Sequence, residues 1–259
     1  MSEDILLSVL NEGVLTLTLN RPKANAFNDD LISAVKDAFK NARRDPQVRV
    51  VVLAANGKLF SAGQDVTGFN GIEGRSFRQH LLHTYNPLIL QMRQLEKPVI
   101  ASVNGAVAGA ALGIVLACDL RIASDNARFV VGFGGIGLAP DSAVSLMLPL
   151  TIGLGRAAEA AYFNQPISAE QALAWGLVNR LAAHDHLAQE TQAWAASLAA
   201  GPVNAMGLTK RVFNKALLPH LAEMLDYEAH IQEVAGHAPD HKEGLSAFLE
   251  KRDPDYRQA

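Results

Sequence analysis

The sequence contains a single cysteine, Cys118, in 259 residues. One thiol permits no internal disulfide and no cysteine-based zinc site, so a reducing cytoplasm is the expected location. Its neighbours are small and aliphatic, and it reads as core filling. No apolar run reaches the roughly 20 residues of a membrane span. The opening Met1-Ser2-Glu3-Asp4 lacks the basic segment of a signal peptide. Charge is sparse, at 19% of residues with a net charge of −3. No basic stripe suits a nucleic acid. His184, His186, His230, His237 and His241 lack metal-ligand spacing with acids or thiols and read as surface residues. Nucleic acid, membrane and metal are thereby set aside as partners.

What is present is a chain with 49% hydrophobic residues, enough to bury one domain with a helical appendage. Ile5 to Leu10 and Val14 to Asn20 read as strands joined by a hairpin at Asn11-Glu12-Gly13. Asn28 reads as the N-cap of a helix with Asp29 and Asp30 in its first turn, Arg43 and Arg44 in its last, and an apolar face at Leu31, Val35, Ala38 and Phe39. Val48 to Ala54 is continuously apolar, as in a strand covered on both faces. A helix over Arg75 to Gln94, a strand over Pro98 to Val103, a helix over Gly109 to Ala117 and a strand over Asp119 to Ala123 continue the alternation, which predicts a mostly parallel sheet. Beyond Gly201 only helical patterns remain, at Val203 to Leu218, Leu221 to Val234 and Lys242 to Arg252. The expected organisation is an α/β core over 1–200 carrying the site, and a helical region over 201–259.

Two turns rich in small residues follow strands. The first is Leu59-Phe60-Ser61-Ala62-Gly63-Gln64-Asp65. The second runs from Val103-Asn104-Gly105 through Ala108-Gly109-Ala110-Ala111 to Gly113. Ligands bind at such strand exits in α/β sheets, where small side chains admit close approach to backbone N–H groups. Close packing of helix on strand is the alternative. Neither turn has the glycine and lysine pattern of a phosphate loop, so a nucleotide cofactor is not expected.

The chain resembles the enoyl-CoA hydratase/isomerase (crotonase) superfamily almost end to end. The resemblance lies in Leu19-Asn20-Arg21-Pro22, Asn25-Ala26-Phe27-Asn28, Phe60 to Asp65, Lys97-Pro98-Val99-Ile100-Ala101, Val103-Asn104-Gly105, Cys118-Asp119, Ile136-Gly137-Leu138, Ala174 to Val178, Glu243-Gly244 and Ala247 to Arg252. It implies a spiral of ββα units, a C-terminal helical trimerisation region giving a homotrimer or dimer of trimers, and an acyl-CoA substrate, with coenzyme A entering as part of the substrate rather than as a cofactor. By resemblance the oxyanion-hole amides belong to Ala62 and Ala110. Ala110 stands where relatives commonly have Gly, which keeps the N–H and narrows the pocket. Lys23, Ala24, Ala26, Phe60, Gln64, Asp65, Phe248 and Lys251 match coenzyme-binding segments. For Lys23 and Lys251 a solvated surface charge is the competing reading.

The acid–base group decides the reaction. The resemblance aligns the two glutamates of the hydratases with Gly113 and Phe133, so ordinary hydration is not expected. Asp141, flanked by Leu138, Ala139, Pro140, Ala143 and Val144, supplies a carboxylate in a poorly solvated setting, where burial raises the pKa toward that of a useful base. Its competing role is a helix N-cap. Isomerases of the superfamily carry Asp here, and the turn Ile136 to Ser142 is similar to that of phenylacetate-pathway isomerases, so the expected reaction converts a 3-enoyl thioester to a 2-enoyl thioester, fatty or ring-type. Two alternatives stay open. One is a 4-chlorobenzoyl-CoA dehalogenase-like member using Asp141 as nucleophile, with His80 and His83 out of register and Phe133 in place of a tryptophan. The other is a non-catalytic CoA-binding member. Tyr85 and Phe69 are candidate acyl-pocket residues, Glu73 and Glu159 candidate helpers, and Trp175 reads as core.

Overall fold

The computed structural model describes residues 4–22, 24–66 and 76–257. Lys23, Phe69 and Glu73 lie outside them. Strands Leu6–Asn11 (β1) and Val14–Leu19 (β2) pair as an antiparallel hairpin. Its turn places Glu12 at φ 48° and Gly13 at φ 81°, the doubly left-handed geometry that matches strand twist. Strands Val50–Ala55 (β3), Val99–Val103 (β4), Leu120–Ser124 (β6) and Arg180–Ala182 (β9) extend this sheet in parallel, in the order β1-β2-β3-β4-β6-β9. Short strands Ala106–Ala108 (β5), Arg128–Val130 (β7) and Ile167–Ser168 (β8) form a second sheet in the order β5-β7-β8. From β4 onward each turn of the chain thus contributes one strand to the large sheet and one to the small, which is the repeating ββα spiral.

Helix α1 (Asp29–Arg44) crosses between β2 and β3, and the Asn28 side chain accepts from the Leu31 N–H at 3.0 Å as its cap. The helix expected over Arg75 to Gln94 is two, α2 (Phe77–His83) and α3 (Tyr85–Gln94), broken at Thr84. Pro87 has no N–H to return to the preceding turn, which accounts for the break. Helix α4 (Ala110–Ala117) is buried at every position, hydrophobic all round rather than striped. Helices α5 (Val144–Ile152), α6 (Leu154–Phe163) and α7 (Ala169–Ala174) follow the second sheet's turns, α8 (Leu187–Ala199) covers the large sheet, and α9 (Val203–Leu217), α10 (Leu221–Gly236) and α11 (Pro239–Glu250) form the helical C-terminal region.

The large sheet has a core on each face. Leu17, Val51, Leu53 and Ala101 pack with Phe39, Leu88 and Leu112 on one side. Val14, Val50, Val52, Ile100 and Ile122 pack with Leu187 and Ala195 of α8 on the other. Alternation along β3 sends successive valines to opposite cores, which is why that strand is continuously apolar. Cys118 is buried, its thiol pushed up to about 12 chiefly by burial, and it fills the core as expected. Among the described residues, no helix is long and apolar enough to cross a membrane.

Candidate active site

The two small-residue turns meet. Ser61 bridges to Val107, and a Cβ on Gly63, whose φ is 89°, would sit 2.7 Å from the Ala108 carbonyl oxygen. Only glycine suits position 63, for its conformation and for that approach. The meeting point opens onto a cavity of about 340 Å³ whose walls include Ala62, Gln64, Ala110, Asp141, His241 and Phe248.

The backbone donors at this point differ from the expected pair. The N–H of Ala62 donates to the Ala24 carbonyl at 3.0 Å, so it is spent inside the fold. Around Gln64, the Gly63 carbonyl accepts from Phe27 N–H at 2.7 Å and Asp65 N–H donates to the Phe27 carbonyl at 2.8 Å. This leaves the Gln64 N–H without a partner among the described residues, at a residue that lines the cavity. Ala110 opens α4 after Gly109, which offers no side-chain cap, and its N–H is likewise unpaired among the described residues. The donor from the first turn is therefore Gln64 rather than Ala62; strand-like pairing with Phe27 alternates inward and outward amides, and the alternation selects it.

Asp141 lines the same cavity and is 7% exposed. Its Oδ1 accepts from the Ser142 hydroxyl at 2.7 Å and its Oδ2 from the Gln232 amide at 2.8 Å. Burial pushes its pKa up to about 6, against the two hydrogen bonds, which favour the carboxylate. It does not cap a helix with its side chain: α5 starts at Val144, after Ser142 and Ala143 at φ 53° and 66°. Glu228 of α10 takes the capping role instead, accepting from the Ala143 and Ser145 N–H groups at 2.8 and 3.1 Å and from the Ser145 hydroxyl. Burial, with the charge of Asp141 adding to it, pushes Glu228 up to about 7.

Tyr85 is 1% exposed and donates to Gln64 Oε1 at 2.6 Å, while His80 Nε2 lies 3.3 Å from the same oxygen. Burial, then the charges of Asp141 and Asp29, hold the Tyr85 phenol well above its ordinary range. His241 is not a surface residue: it is 5% exposed, donates from Nδ1 to the Ile136 carbonyl at 2.8 Å, and packs edge-on to Phe77. The other four late histidines are exposed, as expected. His83 turns to the Gln79 carbonyl, and Glu159 is exposed away from the cavity. Trp175 packs against the core beneath Arg156.

Of the expected coenzyme contacts, Phe248 borders the cavity and is 57% exposed. Phe60 is 0% exposed inside the core, so its side chain reaches no ligand. The Asp65 carboxylate is engaged by Arg21 at 2.7 Å, which ties the first turn to the Ala26 carbonyl through the same guanidinium. Ala26 is buried, whereas Ala24 borders a separate groove with Arg21 and Lys58. Lys251 ends α11 in a left-handed conformation with an exposed side chain. Sequence reasoning missed Gln232, Glu228 and the buried His241, which arrive from helices more than a hundred residues beyond both turns with no local motif. Among the described residues, no cluster suited to a metal ion occurs.

Two sheets wound as ββα units, with two small-residue strand exits and a buried carboxylate lining one largely apolar cavity, define the crotonase fold. The chain belongs to the enoyl-CoA hydratase/isomerase family, whose model matches residues 10–259. It is 38% identical to 1,2-epoxyphenylacetyl-CoA isomerase of Escherichia coli strain K12, covering 98% of each chain. It is 35% identical to trans-2-decenoyl-[acyl-carrier-protein] isomerase of Streptococcus mutans, again over 98% of each. The crystal structure of an enoyl-CoA hydratase from Mycobacterium avium subsp. paratuberculosis K-10 superposes with a TM-score of 0.88 at 34% identity, covering 98% of both chains.

Proposed function

We propose that this protein is an isomerase of an enoyl-CoA thioester, converting a 3-enoyl to a 2-enoyl group through an enolate. Asp141 carries the reading. Among the described cavity-lining residues it is the one carboxylate, and its pKa of about 6 suits proton transfer near neutrality. At the two positions aligned with hydratase glutamates, Phe133 offers no acid–base group and Gly113 has no side chain.

In this mechanism the thioester oxygen sits between the N–H groups of Gln64 and Ala110. Asp141 removes a proton from the carbon next to the thioester, and the negative charge moves through the dienolate onto that oxygen. Each fixed donor contributes roughly 2.7–4 kcal/mol to the transition state, by comparison with other oxyanion holes. Asp141 then returns the proton two carbons further along, so no external acid, base or cofactor is consumed. The groove at Arg21, Ala24 and Lys58 and the exposed ring of Phe248 suit the coenzyme's nucleotide and pantetheine parts. Ring-type acyl groups fit the same scheme, in keeping with the relative that acts on an epoxyphenylacetyl thioester. Self-association through the C-terminal helices, where Leu208, Val212 and Leu217 stand exposed, would give the expected trimer or hexamer.

The test is ultraviolet absorbance after mixing with 3-enoyl-CoA. Conjugated thioester should accumulate with the native protein and not with Asp141→Asn. Retention of activity in that variant would overturn the reading, and halide release from a haloaryl-CoA would favour Asp141 as a nucleophile instead.

A further inference from the structure

The segment that carries Asp141 is not self-supporting. Ser142 and Ala143 both hold left-handed backbone at non-glycine positions, a conformation that persists only where surroundings impose it. On one side α4 presses against it, with the Ser142 carbonyl seated over Gly113. On the other side lies α10. Gln232 accepts from the Ala139 N–H at 3.3 Å and donates to Asp141 Oδ2 at 2.8 Å. One helical turn earlier Glu228 accepts from the Ala143 N–H at 2.8 Å and from the N–H and hydroxyl of Ser145. One face of one helix therefore grips the backbone before the carboxylate, the carboxylate itself and the backbone after it. Both side chains are 2–3% exposed, so neither is a surface contact.

We infer that Glu228 and Gln232 are positioning residues that hold the Asp141 carboxylate toward the cavity. The inference rests on Asp141 being the acid–base group and extends it to α10. Gln232 spends its amide proton on the oxygen that Ser142 does not reach, so the carboxylate is fixed at both oxygens and cannot rotate in its pocket. Glu228 fixes the strained pair behind it. The other titratable side chains bordering the cavity are Tyr85 on α3, His80 on α2 and His241 on α11, and none of them hydrogen-bonds Asp141.

The experiment measures kcat, KM and the pH midpoint of kcat for Gln232→Met, Glu228→Gln and Glu228→Ala beside Asp141→Asn. Met keeps the length of Gln and removes its donor. We expect Gln232→Met to lower kcat by about 10- to 100-fold, as misplacement by about 1 Å can, with KM within about threefold. Its pH midpoint should rise, because the lost donor favoured the charged carboxylate. Glu228→Gln, which retains an acceptor, should keep more kcat than Glu228→Ala. A purely structural role would lower the melting temperature and leave the pH midpoint unmoved. Native kcat and midpoint in Gln232→Met, with Asp141→Asn inactive, would overturn the positioning role alone. An active Asp141→Asn would overturn the acid–base reading and this one with it. Should Glu228→Ala fail to fold, Gln232→Met, whose volume is kept, decides.

Discussion

Gly113 and Ser142 touch so closely that a Cβ on Gly113 would lie 2.2 Å from the Ser142 carbonyl oxygen. Position 113, which by resemblance stands where hydratases carry a glutamate, is thus closed by main chain from a neighbouring turn. Gly113→Glu should not confer hydration. It should displace the Asp141 turn, lower stability by about 3 kcal/mol or more as overpacking and a buried charge combine, and abolish isomerisation. Denaturant unfolding and hydration of 2-enoyl-CoA are the measurements, and hydratase activity in this variant would refute the packing argument.

The assignment of the donor to Gln64 rather than Ala62 separates two variants. Gln64→Ala keeps the N–H and loses only side-chain contacts, to Tyr85, His80 and the Asp65 carbonyl, so kcat should fall by less than about tenfold. Gln64→Pro deletes the N–H while leaving both hydrogen bonds to Phe27, which use atoms of Gly63 and Asp65. Its kcat should fall by about 10²- to 10³-fold. Equal losses in the two would return the assignment to the side chain.

The pH dependence has a fixed sign. Asp141 must be ionised to accept a proton, so kcat should rise with pH through about 6. The fold raises this carboxyl from 3.8 to about 6, which disfavours its ionised form. The associated cost is absent below about pH 4, grows as pH rises, and reaches about 3 kcal/mol above pH 6. Asp141→Asn should therefore be more stable than the native protein at pH 8, by roughly 1–3 kcal/mol after loss of acceptor geometry, and no more stable at pH 4. Thermal melts at the two pH values check this, and a variant destabilised at both would contradict it.

Lys210 is the anchor of α9. Its Nζ donates to the Met92 carbonyl at 2.9 Å and pairs with Asp119 at 2.8 Å, where Arg93 also binds. Burial lowers its pKa against the pull of Asp119. Lys210→Met should cost about 2–4 kcal/mol by leaving a carbonyl and part of a carboxylate unpaired. A change below 0.5 kcal/mol in denaturant unfolding would show the network to be dispensable.

Local chemistry made much of this legible in the sequence. Asn28 and the charges of α1 marked a helix that formed as read, and the valines of β3 announced a doubly covered strand. Strands β5, β7, β8 and β9 escaped notice because two or three residues hold no period. Pro87 was the available signal for the break at Thr84. The site divided in the same way. Asp141 and Ala110 were singled out through the family resemblance, since local chemistry alone reads them equally as a helix cap and as close packing. Which amide of the first turn faces inward depends on pairing with Phe27, a partner from another part of the chain. Gln232 and Glu228 carry no motif at all and become visible only when α10 is packed against the turn.

The reach of α10 has a bearing on how the molecule is made. Gln232 and Glu228 contact residues 91 and 85 positions earlier. On the ribosome, the strands and both small-residue turns leave the exit tunnel well before this helix does. The growing polypeptide can thus bury most of its sheet while the Asp141 turn still lacks its backing. Activity should be the last property acquired during synthesis, and a prematurely terminated product ending before α10 should fold in part yet lack an ordered base.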